Sequence, residues 1–288
     1  MYKRSVTSEP GNGLAGSQAT AFFENGDFSR EMIVISPHPD DAAFSLAGTL
    51  KVLVSAGCGV RIINCFTLSR YAPFGARDDR LSVVTRRRHE EELFLHDLGG
   101  DCRSDDLGLV DAPARTGGIR GILAQNDSQR AENVRLLVAN LEEPGPDTAI
   151  LAPLAIGKHA DHSIARHAAL AKYRRYPLAF YEDLPYAAMP SAQILAAVEE
   201  TLSQLEEKLQ PLLVHWLGDS EWKRRCCARY KSQISEAGIQ KIVDYMERNN
   251  GERLWCSSRF LNWWKRPAAN RPAALRLESD FAEPAPGP

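Results

Sequence analysis

Two short stretches, far apart in the chain, pool the side chains of a hydrolytic metal centre: Ser36-Pro37-His38-Pro39-Asp40-Asp41 and His159-Ala160-Asp161-His162. The first offers one imidazole and two carboxylates directly after the apolar run Met32 to Ile35; the second offers two imidazoles directly after Ala149 to Leu154. Hydrolytic zinc sites commonly use three nitrogen or oxygen ligands and leave one position for water. The two stretches supply that set, plus a carboxylate for acid–base work and a spare imidazole. Pro37 and Pro39 restrict the backbone on both sides of His38 and so limit where its imidazole points. His38 and Asp41, three apart, converge on one ion if the chain turns helical there, while Asp40 must point elsewhere. A carboxylate beside an activated water is what general-base hydrolysis requires. The division of labour is then His38 and Asp41 as ligands and Asp40 as base. One of His159 and His162 completes the ligand set, and the other is free to stabilise the oxyanion formed when water attacks a carbonyl. Spacing alone does not say which is which.

Each stretch also has a plainer reading. His-Pro-Asp-Asp suits a turn with a helix cap, because Asp is favoured at helix N-termini. His-x-x-His on a loop is often merely solvated. Both stretches, however, follow buried-strand sequence, at the edge of an α/β sheet where sites gather. The remaining histidines, His89, His96, His167 and His215, read as surface or satisfied core residues.

At these residues the chain resembles the LmbE-like, or PIG-L, deacetylase family. Its signature is a strand ending in Pro-His-Pro-Asp-Asp, a small-residue helix with Gly-Thr (here Gly48-Thr49) and a later His-x-Asp-His. Arg87 and Glu90 ahead of Leu98-Gly99, then Leu107-Gly108 with Asp111, match two further family features, and Tyr230 to Gln233 and Gly251 to Leu254 resemble others. The resemblance implies a zinc-dependent enzyme, with one Zn2+ per chain, that removes acetyl groups from N-acetylated amino sugars or glycoconjugates or cleaves related amides. It implies His38, Asp41 and His162 as zinc ligands, Asp40 as general base and later proton donor, and His159 as the oxyanion-stabilising imidazole. Arg87 and Asp111 align with substrate-contacting positions; Arg87 equally suits a helix-face pairing with Glu90 at i to i+3. Two departures stand out. Ala42 replaces the usual Glu after the Asp pair, which removes any second-sphere support from that side chain. Gly157-Lys158 stands before His159, where some members carry a polar or aromatic gating residue.

A length of 288 residues suffices for a substantial core, and a formal charge of −2 offers no basic field for nucleic acid. Arg86-Arg87-Arg88 beside Glu90-Glu91-Glu92 reads as a solvated helix face. Six cysteines without C-x-x-C spacing suggest no disulfide framework, and Cys58 and Cys65 read as small buried hydrophobes. With no apolar leader and no membrane-spanning stretch, the expected location is cytoplasmic.

These signals must position the site on an α/β, Rossmann-like fold: a mostly parallel sheet with helices on both faces. Residues 1–28 read as a flexible lead-in with one ordered piece near Ala21 to Phe23. Residues 29–265 read as a single deacetylase domain, and 266–288 as an Ala/Pro-rich disordered tail. Strands are expected at Met32 to Ser36, Gly59 to Phe66, Cys102 to Ser104, Thr148 to Pro153, Leu178 to Glu182 and Leu212 to Trp216. Helices are expected at Asp41 to Ala56, Asp78 to Leu98, Ser128 to Leu141, Asp161 to Arg174, Ile194 to Leu209 and, largely, Ser220 to Met246. The loops Tyr71 to Arg77, Asp105 to Gly118 and Tyr181 to Met189 are expected to shape the pocket. The glycine fingerprints of dinucleotide and P-loop sites are missing after the first strand. Two rival activities stay open: a metalloamidase acting on a thiol conjugate or another amide, and a silent carbohydrate-binding relative that keeps the metal for structure.

Overall fold

The apolar run after Arg30 forms strand β1 (Glu31–Ser36), buried from Met32 onward. In the computed structural model, which describes residues 30–75, 80–118, 122–123, 128–188, 192–205, 207–215 and 220–266, β1 lies inside a seven-stranded sheet. The other strands are β2 (Gly59–Asn64), β3 (Cys102–Asp106), β4 (Thr148–Pro153), β5 (Leu178–Tyr181), β6 (Gln210–Val214) and β7 (Glu252–Cys256). Their spatial order is β3-β2-β1-β4-β5-β7-β6. The first five pair in parallel, whereas β7 runs antiparallel to both β5 and β6. All six residues of β4 are buried, so both faces of the sheet centre are covered.

The helices are α1 (Asp41–Ser55), α2 (Arg80–Leu98), α3 (Ala112–Arg115), α4 (Arg130–Asn140), α5 (Ala160–Tyr173), α6 (Ala192–Leu202), α7 (Ser220–Cys227), α8 (Glu236–Asn249) and α9 (Ser258–Lys265). The chain runs from β1 outward through β2 to β3, then returns to place β4 on the other side of β1. In an open parallel sheet that reversal leaves a crevice at the C-terminal strand ends. His38 follows β1 and His159 follows β4, so both sequence motifs open onto that crevice.

Several expectations need correction. β3 extends to Asp106, because Asp105 and Asp106 pair with Ile63 and Asn64, and the long loop after it holds the short helix α3. The stretch from Ser220 to Met246 is two helices, the second capped by Ser235, whose side chain accepts a hydrogen bond from Gly238 N. The antiparallel strand β7 was not anticipated. It becomes possible because Asn250 (φ 53°) and Gly251 (φ 145°) reverse the chain after α8, and a Cβ on Gly251 would lie 2.4 Å from Val214 O. The solvated face assigned to α2 is overturned at its middle: Arg87, Glu90 and Glu91 are all buried, each against a polar partner from elsewhere.

The first residue of β7 also anchors α1. Glu252 is buried and accepts hydrogen bonds from Gly48 N (3.0 Å), Thr49 N (2.7 Å) and Thr49 Oγ1 (2.7 Å), and pairs with buried Lys223 Nζ at 2.6 Å. A Cβ on Gly48 would already touch the Glu252 carboxylate at 3.4 Å. The Gly-Thr pair in this helix is therefore a docking notch for a buried carboxylate. All six cysteines are free, five of them buried. Among the described residues no helix is long and apolar enough to cross a membrane. The lead-in, its segment near Ala21 to Phe23, and the tail beyond 266 lie outside the described residues, as do Ala76, Arg77 and Met189.

Candidate metal centre

Asp40 sits at the N-cap position of α1, yet its side chain makes no capping hydrogen bond. Its Oδ1 instead accepts from Arg87 Nη2 of α2 at 3.2 Å. The plain helix-cap reading of the first motif therefore fails at its key residue. Asp41 opens the helix itself, and its Oδ2 accepts from His38 N at 2.9 Å while facing His38 Nδ1 at 3.1 Å and His162 Nε2 at 3.4 Å. The second motif is equally unlike a solvated loop, with His159 only 7% and His162 only 1% exposed. The rings of His38, His159 and His162 lie 5.1 to 5.4 Å apart, centroid to centroid.

Each imidazole is fixed by the nitrogen it turns away from the centre. His38 Nε2 meets Asp161 Oδ2 at 2.9 Å, and His162 Nδ1 meets Asp183 Oδ1 at 2.5 Å. Buried carboxylates on the far nitrogens hold protons there and leave His38 Nδ1 and His162 Nε2 free to donate electron pairs. His159 is set differently. Its Nδ1 accepts from Asp161 N at 3.2 Å, which puts the ring proton on Nε2. Burial and the neighbouring His162 and His38 push its pKa down to about 3, so it is neutral. The turn aiming it carries three residues at positive φ, Ala155 (61°), Gly157 (79°) and Lys158 (59°). Gly157 tolerates no Cβ, which would lie 2.8 Å from the Tyr186 ring; that ring packs edge-on against His162 at 5.6 Å.

The donor set suits a cation. His38, Asp41 and His162 form a cluster in which one ligand atom of each lies within 4.8 Å of the others, and Asp41 Oδ2 faces both His38 Nδ1 and His162 Nε2. Asp40, Asp41, Asp161 and Asp183 are all buried, and the guanidiniums paired with them are those of Arg87 and Arg115. Burial works against a charged imidazole, but hydrogen bonds to Asp161 and Asp41 outweigh it and raise His38 to about 10. Burial likewise opposes ionised Asp41, yet His162 and His38 hold it down at about 2. The centre thus favours positive charge between these side chains, as a divalent ion would supply. A second grouping, His38 with His159 and Asp161, shares His38. There the Asp161 carboxylate is already committed to His38 Nε2, Ala112 N (2.8 Å) and Arg115 (2.8 Å), which fits support rather than ligation.

All five motif side chains, with Arg87 and Asp111, line one cavity of about 260 Å3. Asp111 is buried and its Oδ1 accepts from Ala114 N at 3.1 Å, so it caps α3 while facing the cavity. The alternative pairing of Arg87 with Glu90 gives way to Arg87 with Asp40 and Glu90 with Ser232 N and Oγ (2.8 and 2.7 Å). Next to them Glu91 meets Tyr230 Oη and Asn64 Nδ2; burial drives its carboxyl up to about 8 although both hydrogen bonds pull it down. The three loops expected to shape the pocket contribute Tyr71, Asp111 and Tyr186, but Ile122 and Gln233 were not foreseen. Nor was Asp183, whose only sequence signal is an acidic residue just past the C-terminal end of β5. Asp161, inside the second motif, carries no role by spacing alone and gains one from its contact with His38 Nε2. Asp183→Ala should weaken metal affinity about 10- to 100-fold, measured by competition with a chelator; unchanged affinity would show that His162 does not need this partner. Asp161 and Asp183 hold the candidate ligands His38 and His162, while Ala42 is packed in the core.

Residues 33–173 match the family model described as PIG-L: GlcNAc-PI de-N-acetylase. The chain is 32% identical over 239 residues to 2'-N-acetylparomamine deacetylase of Streptomyces fradiae, spanning 77% of this chain and 80% of that protein. Several crystal structures share its fold, two deacetylases among them. The zinc-inhibited form of teicoplanin deacetylase has a TM-score of 0.60 at 22% identity, over 79% of this chain and 99% of that one. The A40926 pseudoaglycone deacetylase has a TM-score of 0.52 at 24% identity, over 81% and 99%.

Proposed function

The chain belongs to the PIG-L family, and from that premise we propose that it is a zinc-dependent hydrolase that removes an N-acetyl group from an amino-sugar-containing small molecule. The observation that carries this reading is the convergence of His38 Nδ1, Asp41 Oδ2 and His162 Nε2, with Asp40 and His159 lining the same cavity. We assign one zinc per chain to those three ligands within a single domain spanning 29–265. Zinc held there would acidify a water and polarise the acetyl carbonyl.

The remaining chemistry falls to the protein's own side chains. Asp40 accepts a proton from the attacking water through the oxygen not engaged by Arg87, and returns it to the departing nitrogen. His159 donates its Nε2–H to the carbonyl oxygen as negative charge gathers there. Water adds to the carbonyl carbon, the C–N bond breaks, and acetate and a free amine leave. Arg87 holds Asp40 in register from the cavity wall, and Asp111 offers its free carboxylate oxygen to a substrate hydroxyl. A cytoplasmic setting suits six free cysteines.

A panel of N-acetylated amino sugars and thiol-conjugate amides, scored by amine release, tests the reading. Turnover confined to the amides would replace the sugar assignment with the amidase one. His162→Ala should lower zinc content far below one per chain by elemental analysis, and full retention would remove His162 from the ligand set. Arg87→Ala should lower kcat by roughly tenfold or more with KM little changed, since a positioning residue acts on the base. A raised KM at unchanged kcat would make Arg87 a substrate contact instead.

A further inference from the structure

The catalytic cavity does not end at the metal centre. A second cavity of about 600 Å3 shares Tyr71 and Pro113 with it, so the two are adjoining chambers divided by those side chains. The inner one, about 260 Å3, lies below the range of roughly 300–1,000 Å3 typical of small-molecule sites, and the outer one brings the pair within it. The walls of the outer chamber are pinned. The segment bearing Arg70 and Tyr71 is tied to the segment before α3 by Leu68 N to Leu109 O (3.0 Å), Asp111 N to Leu68 O (3.2 Å) and the parallel bridge Leu68 to Val110. Tyr71 N donates to Ser69 Oγ at 2.8 Å, and Gln233 Nε2 donates to Tyr71 O at 3.3 Å. Opposite, Gly118 N closes onto Pro113 O at 2.8 Å. The Tyr71 ring, 37% exposed, stands at the threshold.

Among the described residues lining this chamber Arg70 is the charged one, the rest being Tyr71, Val110, Pro113, alanine and two glycines. We propose that the outer chamber is a second subsite, which holds the part of the substrate beyond the acetylated ring. There Tyr71 stacks against it and Arg70 selects an anionic group, a carboxylate or a phosphate. This inference rests on the deacetylase reading and deepens it: the substrate is an N-acetylated amino sugar joined to an acidic moiety. A cationic moiety there would meet the Arg70 guanidinium.

The test uses the zinc-loaded enzyme with N-acetylglucosamine and four of its aryl glycosides, bearing carboxyl, phosphate, neutral or aminomethyl groups on the ring. All four glycosides should exceed the free sugar in kcat/KM, and Tyr71→Ala should reduce that gain. The carboxyl or the phosphate glycoside should lead the aminomethyl one by about fivefold at low salt, the upper end for an exposed charge pair. The lead should shrink at high salt and vanish in Arg70→Gln. Whichever anion leads identifies the acidic group. Glycosides turned over no better than the free sugar would overturn the second subsite, and a charge ranking that survives Arg70→Gln would overturn the selection by Arg70. Amine release from none of the five compounds would instead count against the deacetylase reading itself.

Discussion

Asp40→Asn should bind zinc as the parent protein does and lose about a hundred- to ten-thousand-fold in kcat, the range expected when a positioned proton acceptor is removed. Retention of metal follows from geometry. Asp40 lies outside the cluster of His38, Asp41 and His162, and its Oδ1 faces Arg87. Asn keeps an oxygen for that guanidinium, so the wall between α1 and α2 stays intact. What Asn cannot do is take a proton from water at neutral pH or hand one to the leaving nitrogen. Metal content and turnover measured on one preparation separate the roles. Loss of both would make Asp40 a structural or ligating group, and full turnover would leave the centre without an identified base. The same measurement bears on the silent carbohydrate-binding alternative, because a protein with metal but no turnover before the substitution has nothing to lose.

Much of this centre was legible in the sequence because its parts are local. His38, Asp40 and Asp41 fall within four residues, and one helical turn decides which carboxylate goes inward. His159 and His162 share the first turn of α5 and its cap. The strands that deliver them are short apolar runs buried on both faces, which register as runs in any reading. The partners of the ligands are another matter. Asp183 reaches His162 from the loop after β5, and Arg115 reaches Asp161 from a four-residue helix. Neither carries a periodic signal, since a single buried carboxylate or guanidinium is recognisable only by what it faces. The middle of α2 misled for the same reason. Arg87, Glu90 and Glu91 look like a solvated charge run until Asp40, Ser232 and Tyr230 arrive from distant segments to satisfy them. The antiparallel edge β7–β6 depends on one sharp reversal at Asn250-Gly251, which the sequence marks only by a glycine.

Lys223→Met should cost about 3–5 kcal/mol of folding stability without touching the metal centre, a penalty typical of breaking a buried ion pair from one side. Lys223 is fully buried, and its ammonium is the cation paired with Glu252 at 2.6 Å. Removing it strands an anion in the interior, held among the described residues by the hydrogen bonds of Gly48 N, Thr49 N and Thr49 Oγ1. Those bonds are too few to offset the loss of solvation. Glu252 opens β7 and grips the middle of α1, the helix whose first turn carries Asp41, so the pair joins the antiparallel edge to the helix that opens at the candidate metal centre. Urea denaturation of the single variant measures the loss, and Lys223→Met combined with Glu252→Gln measures its origin. Gln still accepts from the Gly48 and Thr49 donors but carries no charge, so the double variant should recover more than half of the deficit. A single variant within about 1 kcal/mol of the parent would mean that water or rearrangement supplies the missing charge, and that α1 is held by its apolar face rather than by this clasp.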